Sequence, residues 1–479
     1  MSSYSGTLTR LSRATFDATQ GFVRRVPEVR IVHLGLGAFH RAHQAWYTAA
    51  VDPDGRWGIS AFTGRSAAAA PELAPQDGLF TLVVRSPDED EVSIVRSIAE
   101  ASDGADLARL VSRIRAPRTA IVTLTITEPG YRLTPDGRPR LDDGAVVADI
   151  ERLRQAFASG DDLARVVDGP VTALGRLLLA LEARRRAGSG PLAVVPCDNI
   201  AGNGPFVARG LDALARQVSD ETADWIAASV SFVSTSVDRI TPRTTEEDIL
   251  GASWVTGWDD RAVVVTEPFA DWVLSGDFPA GRPAWEEAGA TFVDDIEPFE
   301  QRKLRLLNGA HSLLAYAGLS RGYRTVAQAV ADPSLRARVE AYWNESVRHL
   351  PAEGLDLRRY RDALIERFAN ARIEHNLEQI AAEAVAKLRV RIVGTLLAER
   401  AAGRDGSGCV YPLAAWVALA RAGRALVDAE SAAIAEARAS VDATARLLAL
   451  IDPRLAADHD IVAAVDAVRA ASFHRGAHL

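Results

Sequence analysis

Residues 303–318 read KLRLLNGAHSLLAYAG, an apolar helical stretch in which Lys303, Asn308 and His311 interrupt leucines and alanines. At 100° per residue, Asn308 lies about 140° and His311 about 80° round an α-helix from Lys303, so all three fit one broad face. That face also carries Leu304 and Leu307, which marks it for burial. An ammonium group taken out of water loses several kcal/mol of hydration, and its pKa falls by about two to five units if it is fully buried. A lysine brought towards neutrality in this way is a general base. An asparagine beside it can donate to an oxygen on which negative charge grows, and a histidine can hold the same or a neighbouring hydroxyl. The residues equally fit a lysine that reaches solvent while the amide and imidazole satisfy backbone groups at a domain junction. The helix alone does not separate these readings.

A second constellation is IVHLGLGAFHRAHQ, where Gly35 and Gly37 follow an apolar strand and precede a helix. Backbone amides at such a turn can approach a pyrophosphate, whose charge the helix N-terminus favours. The G-x-G-x-x-G fingerprint is incomplete, because His40 stands where the third glycine belongs. A tight turn that binds nothing is the alternative. Phe39 is counted with Gly35 and Gly37 on the cofactor side. His40 and His43 could share a helical face, but no third ligand of suitable spacing follows, so no metal is expected and the pair should pack or hydrogen-bond near the cofactor. At the expected end of the second strand, AFTGRSAAAAPE offers Arg65 and Ser66 and no carboxylate before Glu72. NAD is the expected cofactor, and NADP stays open because Arg65 could meet a 2′-phosphate or be a solvated loop charge.

These residues need elements to hold them. The 479-residue chain exceeds what one core usually serves, so at least two domains are expected. Its 48% hydrophobic and 25% charged residues are ordinary globular material, and the net charge of -8 gives no general reason to bind nucleic acid or an anionic membrane. Two cysteines, Cys197 and Cys409, suit a reducing compartment. No signal-type apolar run opens the sequence and no long uncharged apolar run follows, so a cytoplasmic protein is expected. Oligomeric state is not legible. From residue 30 to about 295, β-rich runs (RIVHLGLG, WGISAFT, LFTLVVRS, AIVTLTITE, LAVVPC, ASVSFVSTSVD, AVVVTEP) alternate with amphipathic segments such as DLARLVSRIR. This grammar predicts a mostly parallel sheet covered by helices. SGDFPAGRPAWEEAG, rich in glycine and proline, reads as a boundary region. Beyond it helical spacing dominates. The expectation is an α/β Rossmann-type domain over residues 1–296 that binds NAD(P), followed by a mainly α-helical substrate and catalytic domain over 297–479.

GLGAFHRAHQ, VVPCDNIAGNG, SVDRITPRTT, TEPFADWV, FPAGRPAWEEAGA and KLRLLNGAHSLLAYAG occur in this order along the chain. In this the sequence resembles the polyol-specific long-chain dehydrogenase/reductase family, which includes mannitol 2-dehydrogenase and fructuronate reductase. The resemblance implies a metal-free, NAD(P)-dependent oxidoreductase with Lys303 as the catalytic base. It implies Asn199 and Asn308 flanking the reacting oxygen, His311 and Asp238 on substrate, and Glu300 moving the proton between the lysine and solvent. The small-molecule substrate is then a sugar alcohol or a sugar acid. Departures occur as well. Pro129 replaces a family lysine in TLTITEPGY, and ARIEHNLEQIAAEAVAKLRVR lacks the family's D-G-S, with Gln379, Glu383, Ala384, Val385 and Arg389 at altered points. Lys387 carries over as a substrate residue and Gln379 is placed beside it. The run EQIAAEAVAKLRVR is similar to the fructuronate reductase branch, and Lys387, Arg389 and Arg391 would suit a carboxylate. Mannitol or another polyol is the alternative substrate. From another class, a dinucleotide-binding redox sensor or scaffold without turnover is also open.

Overall fold

The computed structural model describes residues 8–21, 25–64, 66–424 and 426–473. The chain divides into two compact units, Met1–Ile296 and Glu297–Leu479.

In the first unit the apolar runs become β1 (Thr9–Arg10), β2 (Val29–Leu34), β3 (Gly58–Phe62), β4 (Phe80–Arg85), β5 (Asp90–Val95), β6 (Ile98–Ser102) and β7 (Ile121–Leu124). Then follow β8 (Leu192–Pro196), β9 (Val230–Phe232), β10 (Ser234–Asp238), β11 (Trp258–Asp259), β12 (Val264–Thr266), β13 (Asp271–Ser275) and β14 (Thr291–Phe292). Six of them make a wholly parallel sheet in the order β6-β3-β2-β7-β8-β9. Alternation splits its side chains between two cores. Val32, Leu34, Val122, Leu124, Leu192 and Val194 pack under helices Leu107–Arg115, Gly144–Ala158, Ala173–Arg186 and Asn203–Arg216. Ile31, Ile121, Ala193 and Val195 face the other core, with Phe80, Trp272 and Trp285. Burial on both faces is why the strands read as continuous apolar runs. The order reverses at β2 and β7, so their carboxyl ends border the crevice where an open parallel sheet takes a ligand.

One sequence expectation is corrected here. ASVSFVSTSVD is not one strand: it breaks at Val233, sending β9 to the main sheet and β10 to an antiparallel pairing with β13. SGDFPAGRPAWEEAG, read as a boundary region, lies within the first unit, which ends at Ile296, and is packed. Trp285 is fully buried, 4.5 Å from the Trp272 ring, and its indole N–H donates to the Thr48 hydroxyl.

Among the described residues no strand lies beyond Phe292, and the second unit is a helical assembly. At its centre runs Gly309–Ser320, buried from Gly309 through Leu319. Helix Pro333–Ser346 starts at the Asp332 cap, whose carboxylate accepts the Ser334 and Leu335 amides. Glu399, with 1% of its side chain exposed, accepts from Arg348, His349 and Arg404 and so pins three segments together.

Candidate active site

β2 ends at Leu34, and Gly35 then takes φ +110°, where a Cβ would overlap the Thr125 carbonyl. Only glycine fits there. Around Gly37 the nearest heavy atom to a built Cβ is the Gly35 carbonyl oxygen at 3.7 Å, and a Cβ on Gly64 would stand 3.7 Å from Gly35 Cα. The carboxyl edge of β2 thus presents bare backbone at the crossover, just before the helical run that begins at Ala38. That cradle fits a pyrophosphate. Arg65 lies outside the described residues.

The missing third glycine has a physical replacement. Its usual role is to let the helix approach the strand closely. Here the His40 ring lies flat on His33 of β2, centroids 3.3 Å apart and planes 8° from parallel. The hydrogen bonds assign the tautomers. Thr125 donates its hydroxyl proton to Gly35 O at 2.8 Å, so His33 Nε2 donates to Thr125 Oγ1 and Nδ1 accepts from Thr123. Gln44 donates its amide to His43 Nδ1, so its oxygen accepts from His40 Nδ1 at 3.3 Å, and His43 Nε2 donates to Asp271 O. His40 Nε2 keeps a buried lone pair without a hydrogen-bond partner. Burial lowers the His33 pKa to about 3 and holds His40 well below the usual histidine value, His33 adding to the depression. The stack is therefore neutral. Phe39 lies against His43 with ring centroids 5.0 Å apart.

At the carboxyl end of β8, Asn199 is exposed. The preceding Asp198 accepts the Tyr131 hydroxyl at 2.5 Å, and burial raises its pKa. Asn203, fully buried, donates to Pro196 O and Thr235 O and accepts the Thr235 amide, which fastens the Asn199 loop to β10. Asp238 ends β10. Its neighbour Arg239, which sequence reasoning passed over, donates to Ala42 O at 2.6 Å and lies 4.4 Å from the Trp46 ring. The Asp238 strand is thereby fastened to the helix that follows the glycine turn.

In the second unit Glu300 belongs to helix Glu297–Arg302, immediately before Lys303. The α-helical spacing expected for the lysine segment is wrong: Lys303–Asn308 is a π-helical turn, and the Gly309 amide bonds back five residues to Leu304 O. Such a turn is wider than an α-helical one, so Lys303 and Asn308 come closer to one face than the α-helical angles allow. Both are half-buried. His311, on the α-helix that follows, is buried, and its Nε2 has no hydrogen-bond partner. Its pKa lies well below the usual value, first through burial and then through the charges of His375, Arg367, Arg391 and Lys387. The His375 ring is 4.6 Å away, edge to face. Lys387 donates to Ile380 O at 2.9 Å, and burial with the nearby Arg391 lowers its pKa to about 8, against the pull of Glu383 and Asp428. Those two carboxylates are engaged by backbone amides of Ala429, Val385 and Glu430. Arg391 donates to two neutral acceptors, Asn308 O and the Ser312 hydroxyl.

One sequence candidate stands apart. Arg389 donates to Leu450 O and Ile451 O at a helix end and does not join Lys387 and Arg391. Gln379 is exposed on helix Leu377–Ala381, next to Ile380, whose carbonyl accepts from Lys387. Arg367 and His375 also bear on His311, and neither carried a spacing signal in the sequence. Among the described residues no group of three or more His, Cys, Asp or Glu side chains is arranged to hold a metal, and no helix is long and apolar enough to cross a membrane.

A parallel sheet with its bare glycine turn at the reversal of strand order defines a Rossmann-type dinucleotide-binding unit. Comparison with known proteins extends this to the whole chain. Residues 29–287 match the mannitol dehydrogenase Rossmann domain and residues 295–465 the mannitol dehydrogenase C-terminal domain. D-mannonate oxidoreductase of Escherichia coli is 36% identical over 76% of this chain and 74% of its own. D-arabinitol 4-dehydrogenase of Ralstonia nicotianae is 36% identical over 81% and 82%. The structure of Pseudomonas fluorescens mannitol 2-dehydrogenase with NAD and D-mannitol superposes with a TM-score of 0.76 at 33% identity, covering 93% of this chain and 92% of that one. The chain belongs to the mannitol dehydrogenase family. It is an oxidoreductase of the polyol and sugar-acid class, acts on a small molecule, and uses a nicotinamide cofactor.

Proposed function

We propose that the protein interconverts the secondary alcohol of an aldonate and the ketone of the corresponding keto-uronate, with the mannonate and fructuronate pair first among candidates and NAD as cofactor. One observation carries the choice of an acid: the unpartnered imidazole nitrogen of buried His311 sits among Arg367, His375, Lys387 and Arg391. Cationic groups in that neighbourhood favour a carboxylate, which accepts charge-assisted hydrogen bonds. Among the relatives, the mannonate oxidoreductase is named for a substrate of this class.

In this reading residues 1–296 hold the dinucleotide through Gly35, Gly37 and Phe39, and residues 297–479 hold the substrate. Arg65 is the residue on which a preference for NADP would turn. The nicotinamide, when bound, supplies or accepts the hydride. Lys303 removes the hydroxyl proton in oxidation and returns it to the forming alkoxide in reduction. Asn199 and Asn308 donate to that oxygen as its charge grows, each worth about 2–4 kcal/mol when well placed. Glu300 passes the proton between Lys303 and solvent, and Asp238 orders substrate hydroxyls. His311, Lys387 and Arg391 take the acid end, and Gln379 has at most an outer role.

The test follows the near-ultraviolet absorbance of reduced nicotinamide. NADH or NADPH is paired with fructuronate, then NAD or NADP with mannonate, mannitol, arabinitol or sorbitol. A kcat/KM for the acid pair at least about tenfold above any polyol, the scale of one charge-assisted bond, is expected. Preference for an uncharged polyol would transfer the assignment to a polyol dehydrogenase.

A further inference from the structure

The lysine turn, Lys303–Asn308, and the arginine turn, Arg389–Val393, are both π-helical. A π-turn strands carbonyls that an α-helix would satisfy. The Gly309 amide reaches Leu304 O, so Arg305 O, its partner in an α-helix, has lost its backbone donor. The Tyr342 hydroxyl supplies a replacement. It donates to Arg305 O at 2.8 Å and shares the same proton, at 3.2 Å, with Arg391 O of the arginine turn. Its neighbour Trp343 donates its indole N–H to Leu306 O at 2.8 Å. Both aromatics lie on helix Pro333–Ser346 and are fully buried. Gly309 completes the arrangement, because a Cβ on it would overlap the Tyr342 hydroxyl. The lysine turn therefore ends on glycine to make room for the phenol.

We propose that Tyr342 is a positioning residue for the reaction: its single hydroxyl holds the turn that carries Lys303 and Asn308 in register with the turn that carries Arg391. This rests on the roles assigned above to Lys303 and Arg391. The hydroxyl touches no reacting atom. It sets where the proton-handling amine stands relative to the group that fixes the acid end of the substrate, and Trp343 secures the lysine turn alone.

Two variants separate these effects. Tyr342→Phe removes one oxygen and keeps the ring, and Trp343→Phe removes the donor to the lysine turn only. Hydrogen exchange of the unliganded full chain is read first. Tyr342→Phe is expected to accelerate exchange about tenfold or more in peptides spanning both turns, the loss of roughly one hydrogen bond. Trp343→Phe is expected to do so only across 303–308. In turnover, Tyr342→Phe lowers kcat by about ten- to a hundredfold, the scale of a misplacement approaching an ångström. It also shifts the pH profile limb due to Lys303 and narrows the preference for sugar acid over polyol, whereas Trp343→Phe keeps that preference. The Kd for reduced dinucleotide, from fluorescence titration, stays at the wild-type value in both. Wild-type exchange in both turns of Tyr342→Phe overturns the proposal, and so does accelerated exchange with kcat, pH profile and selectivity all retained. A wild-type enzyme inert on every substrate pair defeats the functional reading instead, and exchange still decides whether Tyr342 joins the two turns.

Discussion

Acidification should loosen the Rossmann core through His33 before it titrates any surface carboxylate. The folded His33 pKa is about 3 because burial disfavours the imidazolium, against about 6.5 in the unfolded chain. Below the unfolded value, the unfolded chain binds the extra proton, so stability falls as pH falls, until the folded value is passed. Between about pH 7 and about pH 5 this single group removes about 2 kcal/mol. His40, stacked on it and also held neutral, acts in the same sense. The two units need not unfold together, so a global midpoint is a poor reporter. Hydrogen exchange of the β2 amides, corrected for intrinsic rates, reads the opening free energy of this core directly. The comparison is wild type against His33→Asn. At about pH 7 the variant is the less stable, having lost the stack and the bonds to Thr123 and Thr125. At about pH 5 the gap should have narrowed by about 2 kcal/mol. A gap that stays constant to within about 0.5 kcal/mol, ordinary measurement scatter for such differences, would mean that the folded imidazole titrates as freely as the unfolded one, and the neutral-stack argument would fail.

Three substitutions probe the site. Lys303→Ala should cost about 10²- to 10⁴-fold in kcat, the range for a general acid–base, with reduced-dinucleotide binding unchanged; undiminished turnover would remove the lysine from the chemistry. Arg391→Met should lower kcat/KM for the sugar acid by about ten- to a hundredfold, from 1.5–3 kcal/mol per charged hydrogen bond, and lower that for mannitol much less, with Arg391→Lys intermediate; equal losses on both substrates would make the arginine purely structural. Gly35→Ala combines a left-handed backbone with overlap on the Thr125 carbonyl, at a cost of about 1–3 kcal/mol in backbone strain alone. It should raise the dinucleotide Kd and lower Tm together, and a wild-type Kd would show that the turn does not cradle the phosphates.

The division into two units and most of the main sheet were legible because buried parallel strands are unbroken apolar runs such as IVTL and LAVVP. β5 and β6 were not: EVSIV and IAEAS carry charges on half-exposed faces and look like loop or helix in isolation. Lys303, Asn308 and His311 could be picked out because polar groups on an apolar face are expensive. Their true spacing was hidden, since nothing in KLRLLN signals a π-turn, and its carbonyls are met by Tyr342 and Trp343 of a separate helix. The same limit applies to charge. Lys387, Arg389 and Arg391 look alike in KLRVR, yet Arg389 turns to the Leu450 and Ile451 carbonyls while Arg391 turns to Asn308. Which way a cation points depends on which carbonyls tertiary packing leaves open, and that is not a local property.

The π-turns argue for one construction principle. There is one after the glycine turn, one at Lys303 and one at Arg391, each on a segment that carries candidate residues. The first two wide turns each leave a carbonyl that a regular helix would have used, and a buried carbonyl left unpaired costs about 1–3 kcal/mol. A buried side chain from a separate element answers in both. In the first, the Trp46 amide bonds His43 O, and Arg239 takes Ala42 O. In the second, Tyr342 takes Arg305 O and Trp343 takes Leu306 O, and the same tyrosine hydroxyl reaches Arg391 O of the third. A regular α-helix would satisfy these carbonyls without recruiting an arginine, a tyrosine and a tryptophan into the interior. That the fold keeps the wider form and supplies a dedicated donor for it implies that the displaced side chains, and not helix stability, are what the geometry serves.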